Sequence, residues 1–273
     1  MENLTEKPTG LIDLHAHIVP GVDDGAQSEK DAIEMIRTAE ADGTETIVAT
    51  PHIFSKLNLV KDLDLILQKQ EEFLEKVRMF DFNLKVLPGA EVFFTTNVKE
   101  LLNRYQRLIT LNRTGYFILE FPFDFIFPGI RDFLFGLQMD GWIPLIAHPE
   151  RNQVIQRNPG LLYEMIQQGA LAQVNAGSLM GYFGPEVRHT AYQLLHYNLI
   201  HVVASDAHSL KHRPPRLSEA YIHIESIDSN KADLYLKEIP RAILNDRGLP
   251  DMDDPIDPRK KVRFFDFFKK RRS

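Results

Sequence analysis

The chain alternates apolar, β-rich runs with amphipathic helical stretches, and run after run ends on a histidine or a carboxylate. These ends read Leu-Ile-Asp-Leu-His15-Ala-His17, Ala-Thr-Pro-His52, Pro-Gly-Ala-Glu91, Leu-Glu120-Phe-Pro, Ile-Ala-His148-Pro-Glu-Arg151 and Ala-Ser-Asp206-Ala-His208. Strands that alternate with helices build a parallel sheet with the helices outside it. In such folds the functional side chains gather at the C-terminal ends of the strands. One histidine in this position means little. The repetition predicts that the strand ends converge on a single site able to hold several metal ions.

The strands are expected at Leu11–His15, Thr46–Thr50, Leu84–Glu91, Phe117–Phe121, Pro144–His148, Ala172–Asn175 and Ile200–Ser205. Ser28 opens the first helix with Asp31 as its capping partner, Ile33, Ile36 and Ala39 give it an inward stripe, and Gly43 stops it. Further helices are expected at Lys61–Met79, Val98–Tyr105, Ile130–Met139, Gly160–Gln168 and Pro185–Tyr197. An α/β barrel of about 250 residues is ordinarily one domain. We therefore expect a single barrel domain over residues 1–248, followed by a tail over 249–273 that is acidic and Pro-rich, then Phe-rich and basic.

The 273 residues include no cysteine, which excludes disulfides, thiolate zinc sites and any cysteine nucleophile. A net charge of -6 gives no reason to expect a nucleic-acid partner. Neither a bilayer-spanning apolar run nor a signal-peptide pattern is present, so a cytoplasmic location is expected.

Each motif also has a plain reading. His15 and His17 lie on one side of a strand end, where two imidazoles can grip one ion, or they are ordinary histidines. Asp23-Asp24-Gly supplies a nearby carboxylate, though turns favour Asp and Gly anyway. His52 follows a proline that fixes the backbone entering it; the alternative is a capped strand end. Glu91 and Glu120 lie in apolar settings where a lone charge is costly, so each is either ion-paired or a metal ligand. His148 and the pair Asp206 and His208 repeat the ligand types. Arg151 and Arg213 are able to hold a phosphate in charge-assisted bonds, or Arg213, ahead of two prolines, is a solvated loop residue. Imidazole with carboxylate and no thiolate suits Mn²⁺, Fe or Zn²⁺ better than Ca²⁺. His189, His196, His201, His212 and His223 lack this setting and read as structural or surface residues.

Taken together, the motifs resemble the polymerase-and-histidinol-phosphatase (PHP) superfamily, and more closely its bacterial manganese-dependent protein-tyrosine phosphatases encoded with capsule and exopolysaccharide genes. The most specific stretch is Asp-Leu-His15-Ala-His17-Ile-Val-Pro-Gly-Val-Asp-Asp24-Gly, and the resemblance spans residues 11–245. It implies a distorted (β/α)7, TIM-like barrel with a site for up to three divalent ions, Mn²⁺ foremost. One ion would take His15, His17, Glu91 and Asp206. A second would share Glu91 and add Glu120 and His148. A third would take Asp24, His52 and His208. Arg151 and Arg213 match the branch's phosphate-binding arginines. The implied substrate is a phosphotyrosine protein, namely a membrane-associated bacterial tyrosine autokinase.

Paired cations lower the pKa of a bridging water, which supplies a nucleophile without cysteine. Asp24, Arg151 and Arg213 complete the expected catalytic set, and Asp23 is a candidate proton donor to the leaving oxygen. Two other readings stay open: a small-molecule phosphatase acting on histidinol phosphate or a sugar phosphate, and a catalytically silent metal-bound scaffold. The rings of Phe123 and Phe125 are expected at the rim, either accepting a tyrosine ring or packing on the next helix. The basic, aromatic tail from Arg259 to Ser273 either makes weak contact with anionic lipid or covers the domain surface.

Overall fold

The computed structural model describes residues 7–53 and 63–260. In chain order the strands are β1 (Leu11–Ala16), β2 (Thr44–Ala49), β3 (His52–Ile53), β4 (Lys85–Pro88), β5 (Glu91–Phe93), β6 (Tyr116–Glu120), β7 (Ile143–Ala147), β8 (Leu171–Asn175) and β9 (Val202–Ala204). The helices between them are α1 (Glu29–Ala41), α2 (Leu63–Val77), α3 (Val98–Tyr105), α4 (Ile130–Met139), α5 (Gln153–Arg157), α6 (Gly160–Gln167), α7 (Ala176–Met180) and α8 (Pro185–His196). After β9 come α9 (Ser218–Glu225), α10 (Ser229–Asp233), a π-helical turn at Leu234–Glu238, and α11 (Ile239–Leu244).

Every strand pairing is parallel. The strands form two sheets, of order β1-β2-β4 and β3-β5-β6-β7-β8-β9. The α/β class with parallel strands is as expected, whereas among the described residues hydrogen bonding does not close the sheets into a ring. β1 and β9 meet through one isolated bridge, Ala16 to Ala207. The bonds from Asp206 N to the His15 carbonyl (2.9 Å) and from His17 N to the Ala207 carbonyl (2.8 Å) flank it.

One of the expected strands spans both sheets, and another is followed at once by a strand of the second sheet. Thr46–Thr50 becomes β2 and resumes beyond Pro51 as β3. Leu84–Glu91 divides at Gly89 into β4 and β5. Proline carries no amide hydrogen for a ladder. At Gly89 a Cβ would lie 2.6 Å from Val48 Cγ1, so only glycine allows the chains to approach there. The breaks sit side by side: Ala49 pairs with Pro88 in the first sheet, and His52 pairs with Glu91 in the second.

Helix α1 forms as its sequence suggests. Ser28 accepts from Asp31 N at 3.2 Å, Ile33, Ile36 and Ala39 are buried, and Gly43 turns the chain at φ +96°. β1, β6 and β8 are buried at every position, as strands covered on both faces must be. Leu14, Phe117, Ile118, Leu145 and Val203 belong to the larger core, and Ile18, Met35, Ile36 and Ile47 to a smaller one beneath α1.

The segment after α11 lies against this core through Leu249, Met252 and Ile256, and Ile256 N bonds the Tyr197 carbonyl at 2.9 Å. Arg259 pairs with Asp257 and with Glu164 of α6. Residues 261–273 of the expected tail, and Lys61 and Asp62 at the start of the expected second helix, lie outside the described residues. No helix among the described residues is long and apolar enough to cross a membrane.

Candidate metal centre

The strand ends deliver their ligand types to one place. The side chains of His15, His17, Glu91 and Asp206 are almost wholly buried, and those of His52, Glu120, His148 and His208 nearly so. Only Asp24, whose side chain is 35% exposed, reaches toward solvent. Two strand ends turn through strained backbone to achieve this. His148 after β7 holds φ +32° and Asp206 after β9 holds φ +51°, the left-handed region that non-glycine residues rarely adopt. In the loop after β1, Gly25 is needed because a Cβ there would collide with the backbone of His17. The bond from Ala26 N to the His17 carbonyl (2.9 Å) closes that loop.

Three sets of donor atoms lie close enough to hold an ion: His17, Asp24, His52 and His208; His15, His17 and Glu91; and His52, Glu91 and Glu120. Asp206 Oδ1 stands 3.5 Å from His17 Nε2 and 3.8 Å from His15 Nε2. His148 Nε2 stands 3.2 Å from Glu91 Oε1 and 3.8 Å from Glu120 Oε1. All nine expected ligands are thus brought together. In this arrangement His17 and His52 each lie in two sets, where the resemblance gave each to one ion.

The outward-facing ring nitrogens decide what such a site wants. His15 Nδ1 donates to Gln173 Oε1 at 2.8 Å, and Gln173 Nε2 in turn donates to Asn175 Oδ1 at 2.7 Å, which fixes the amide's orientation. His17 Nδ1 donates to Asp23 Oδ2 at 3.0 Å. His208 Nδ1 donates to the Asp206 carbonyl at 2.9 Å. In the neutral ring each Nε2 then carries a lone pair. Those lone pairs face other acceptors: His15 Nε2 meets His17 Nε2 at 3.1 Å, and His208 Nε2 meets Asp24 Oδ1 at 3.3 Å. Glu120 Oε2 is buried without accepting a hydrogen bond, and Glu91 Oε2 lies 2.8 Å from His52 Nδ1. Acceptors at such separations require positive charge between them, either extra protons or cations. The donor set therefore fits divalent ions, and imidazole with carboxylate and no thiolate suits Mn²⁺, Fe or Zn²⁺.

The titration behaviour points the same way. Burial opposes charge on His52, but the Glu91 carboxylate overrides it and raises His52 to about 10. Burial would raise Glu91 too, yet His15 and His52 hold it well below the usual carboxylate range. Glu120 is pushed up to about 8 by burial and by the charge of Glu91.

Asp206 also gathers the two arginines. Its Oδ2 accepts from Arg213 Nη1 at 3.1 Å, Arg151 Nη1 at 3.3 Å and Asn175 Nδ2 at 2.7 Å. Arg213 Nη2 lies 3.7 Å from Asp24 Oδ2. Both guanidiniums are partly exposed, anchored at one edge with other N–H groups open. The plain reading of Arg213 as a solvated loop residue is thereby set aside.

Asp23 does not stand where a proton donor to substrate must. It is fully buried behind His17, accepting from its Nδ1, from His52 N (3.0 Å) and from Gly25 N (2.9 Å). Although burial raises a carboxyl, its bond to His17 keeps Asp23 ionised below the ordinary value. It orients a histidine instead. The rim rings Phe123 and Phe125 are 42% and 47% exposed, and Phe123 lies over Arg151 as well as 5.7 Å from His148.

Sequence reasoning missed Gln173, Asn175 and Glu150. Glu150 is wholly buried and accepts from Asn175 N (3.0 Å) and Ser178 Oγ (2.6 Å), so it ties the turn after β7 to the start of α7. Burial pushes its carboxyl up to about 7. Gln173 and Asn175 are polar residues at alternate positions of an otherwise apolar strand end, Ala-Gln-Val-Asn. That was the available signal, since polar side chains are rarely buried without a partner. His201, read as structural, is buried and accepts from Ala172 N through Nδ1 at 3.2 Å.

Residues 11–245 match the family described as capsular polysaccharide synthesis, CpsB/CapC. The tyrosine-protein phosphatase YwqE of Bacillus subtilis is 38% identical over 260 residues, covering 94% of this chain and 100% of that protein. The tyrosine-protein phosphatase CpsB of Streptococcus pneumoniae is 30% identical, covering 87% of this chain and 99% of its own. A crystal structure from work on YwqE and CpsB, there described as unique metal-dependent tyrosine phosphatases, superposes with a TM-score of 0.83 at 37% identity, covering 90% of this chain and 99% of that one. A β-aspartyl dipeptidase of Fervidobacterium islandicum, at 13% identity and a TM-score of 0.51, shares the fold alone. With its ligand-bearing strand ends inside the matched span, the chain belongs to the CpsB/CapC family of capsular polysaccharide synthesis.

Proposed function

We propose that the protein is a metal-dependent protein-tyrosine phosphatase whose ions are held by His15, His17, Asp24, His52, Glu91, Glu120, His148, Asp206 and His208. The observation that carries this reading is the meeting of a nine-donor cluster with two arginines on one carboxylate, Asp206. Bound divalent ions would supply a water acidic enough to attack phosphorus near neutral pH, and positive charge beside the phosphate. The chain's own residues do the rest. Arg151 and Arg213 take the phosphate oxygens through the N–H groups not given to Asp206, offsetting charge where phosphoryl transfer develops it. Asp23, Gln173 and the Asp206 carbonyl hold three imidazoles with Nε2 inward. The partly exposed Asp24 marks the open side, where substrate enters. A tyrosine phenol has a pKa of about 10, so its phenolate departs with less protonation than an alkoxide needs.

Manganese is the proposed ion: imidazole and carboxylate donors suit Mn²⁺, Fe or Zn²⁺, and the resemblance to manganese-dependent tyrosine phosphatases favours the first. The proposed substrate is a tyrosine-phosphorylated protein of the capsule pathway, a membrane-associated tyrosine kinase foremost, met in the cytoplasm. The basic tail would assist that encounter by weak contact with anionic lipid. The two parallel sheets, joined where the chain passes directly from one to the other, are read as a distorted seven-stranded barrel.

Protein purified without chelator, analysed for metals and assayed with Mn²⁺, Fe²⁺ and Zn²⁺ on phosphotyrosine peptides, histidinol phosphate and sugar phosphates, tests the reading. A higher kcat/KM on the peptides supports it. Preference for the metabolites replaces it with the small-molecule phosphatase, and inactivity on every ester leaves the scaffold.

A further inference from the structure

The guanidinium of Arg151 lies over two phenylalanine rings. Its Cζ is 4.7 Å from the centre of Phe123 and 4.6 Å from that of Phe183. The rings come from different parts of the chain. Phe123 follows β6, and Phe183 follows α7. Each is held from behind. Asn152, next to Arg151, donates through Nδ2 to the Pro122 carbonyl (2.7 Å) and the Phe125 carbonyl (3.3 Å), and Gln153 N donates to the Phe123 carbonyl at 2.6 Å. The Phe123 loop is thereby fastened to the segment that carries the arginine. Next to the other ring, Tyr182 N bonds the Gly177 carbonyl at 2.9 Å. Gly177 has no side chain where Phe183 packs: a Cβ there would lie 3.1 Å from Phe183 Cε2.

We propose that Phe123 and Phe183 form an aromatic clamp that fixes the plane and heading of the Arg151 guanidinium, and that both are positioning residues for phosphate binding. A guanidinium is attracted to ring faces and presents its N–H groups in its own plane, so two ring faces leave the donor edges open while restraining rotation about the long side chain. An arginine on a flexible stem loses rotamer freedom when it grips phosphate. A clamped one has lost much of it beforehand, which strengthens the grip. The edge that bonds Asp206 fixes the remaining turn of the plane. Phe123, whose ring lies 5.7 Å from His148, thus gives part of its surface to the protein itself.

This inference rests on the proposed role of Arg151 in holding phosphate, and its test separates the two. Inorganic phosphate is titrated calorimetrically into the manganese-loaded wild type and Phe183→Leu, and kcat and KM are measured on a phosphotyrosine peptide and on an alkyl phosphate. We expect Phe183→Leu to weaken phosphate binding about tenfold and to lower kcat/KM on both esters by a similar factor. Phe183→Tyr should restore both, and Gly177→Ala, which crowds the ring, should reproduce the loss in part. In an Arg151→Ala background Phe183→Leu should add nothing. Unchanged phosphate affinity in a folded Phe183→Leu protein overturns the clamp, as does a loss confined to the aryl ester or an equal loss without Arg151. If the wild type cleaves no ester yet its phosphate affinity depends on Phe183, the clamp stands and the phosphatase reading falls.

Discussion

Gln173 Oε1 accepts the Nδ1 proton of His15 at 2.8 Å, although neither the carboxamide nor its strand supplies any of the nine candidate donors. The contact sets the tautomer of His15 and aims Nε2 into the cluster. The same amide passes to Asn175, which donates to Asp206. One strand thus orients two candidate ligands that lie 191 positions apart, counted from 15 to 206.

Replacing Gln173 with methionine, of similar length, should lower divalent-ion affinity 10- to 100-fold, a range of about the usual size for a lost ligand-orienting bond. Competition with a fluorescent chelator measures it. Unaltered affinity would show that His15 is aimed by packing alone.

Metal should stabilise the fold, because it relieves acceptors now facing one another. At a concentration about 100 times Kd, binding contributes about 2.7 kcal/mol. Thermal unfolding with and without Mn²⁺ should show the shift, chelator should reverse it, and Glu91→Gln should remove most of it. An identical shift in Glu91→Gln would place the ions elsewhere.

Arg213→Lys keeps the charge but loses the planar fork that bonds Asp206 and faces Asp24. We expect kcat to fall roughly 100-fold on a phosphotyrosine peptide, with the melting temperature unchanged, since removing one donor to a developing oxyanion costs about that much. A variant retaining full kcat would assign phosphate binding to Arg151 alone.

His201 should make the metal-free fold sensitive to acid. Burial lowers it to about 4 from an ordinary 6.5, so the unfolded chain binds its proton first. The stability it contributes is complete above pH 6.5 and is lost as pH falls toward 4, by about 3 kcal/mol at most. His201→Asn retains an acceptor for Ala172 N and should flatten this part of a urea-denaturation pH series. An unchanged slope would attribute the sensitivity to other groups.

Much of the fold is legible from residue order because strands announce themselves twice, by their apolar runs and by the ligand-type residues that end them. The helix from Ser28 to Gly43 is readable from its cap, stripe and stop, and the convergence of His15, His17, Asp206 and His208 from their common placement. The features that are not legible depend on three-dimensional neighbours. Nothing local to Leu84–Glu91 states that the sheet divides at Gly89, because the reason is Val48 on an adjacent strand. The helices after β9 are hidden by Pro214, Pro215 and Pro240, which read as breaks, although Pro240 lies inside one continuous helical run from Ser229 to Leu244, directly after the π-helical turn at Leu234–Glu238 that loosens the ladder there. Asp23 and Asp24 look alike in sequence. Only the fold turns one behind His17 and the other toward solvent.

The pairing of His52 with Glu91 across β3 and β5 has one more result. A slip of a single residue in that short ladder would turn one of the two side chains to the opposite face and part the imidazole from the carboxylate. Misaligned molecules would forfeit divalent ions at once, so the stoichiometry of tightly held metal in a preparation doubles as a gauge of how many chains have assembled their strands correctly.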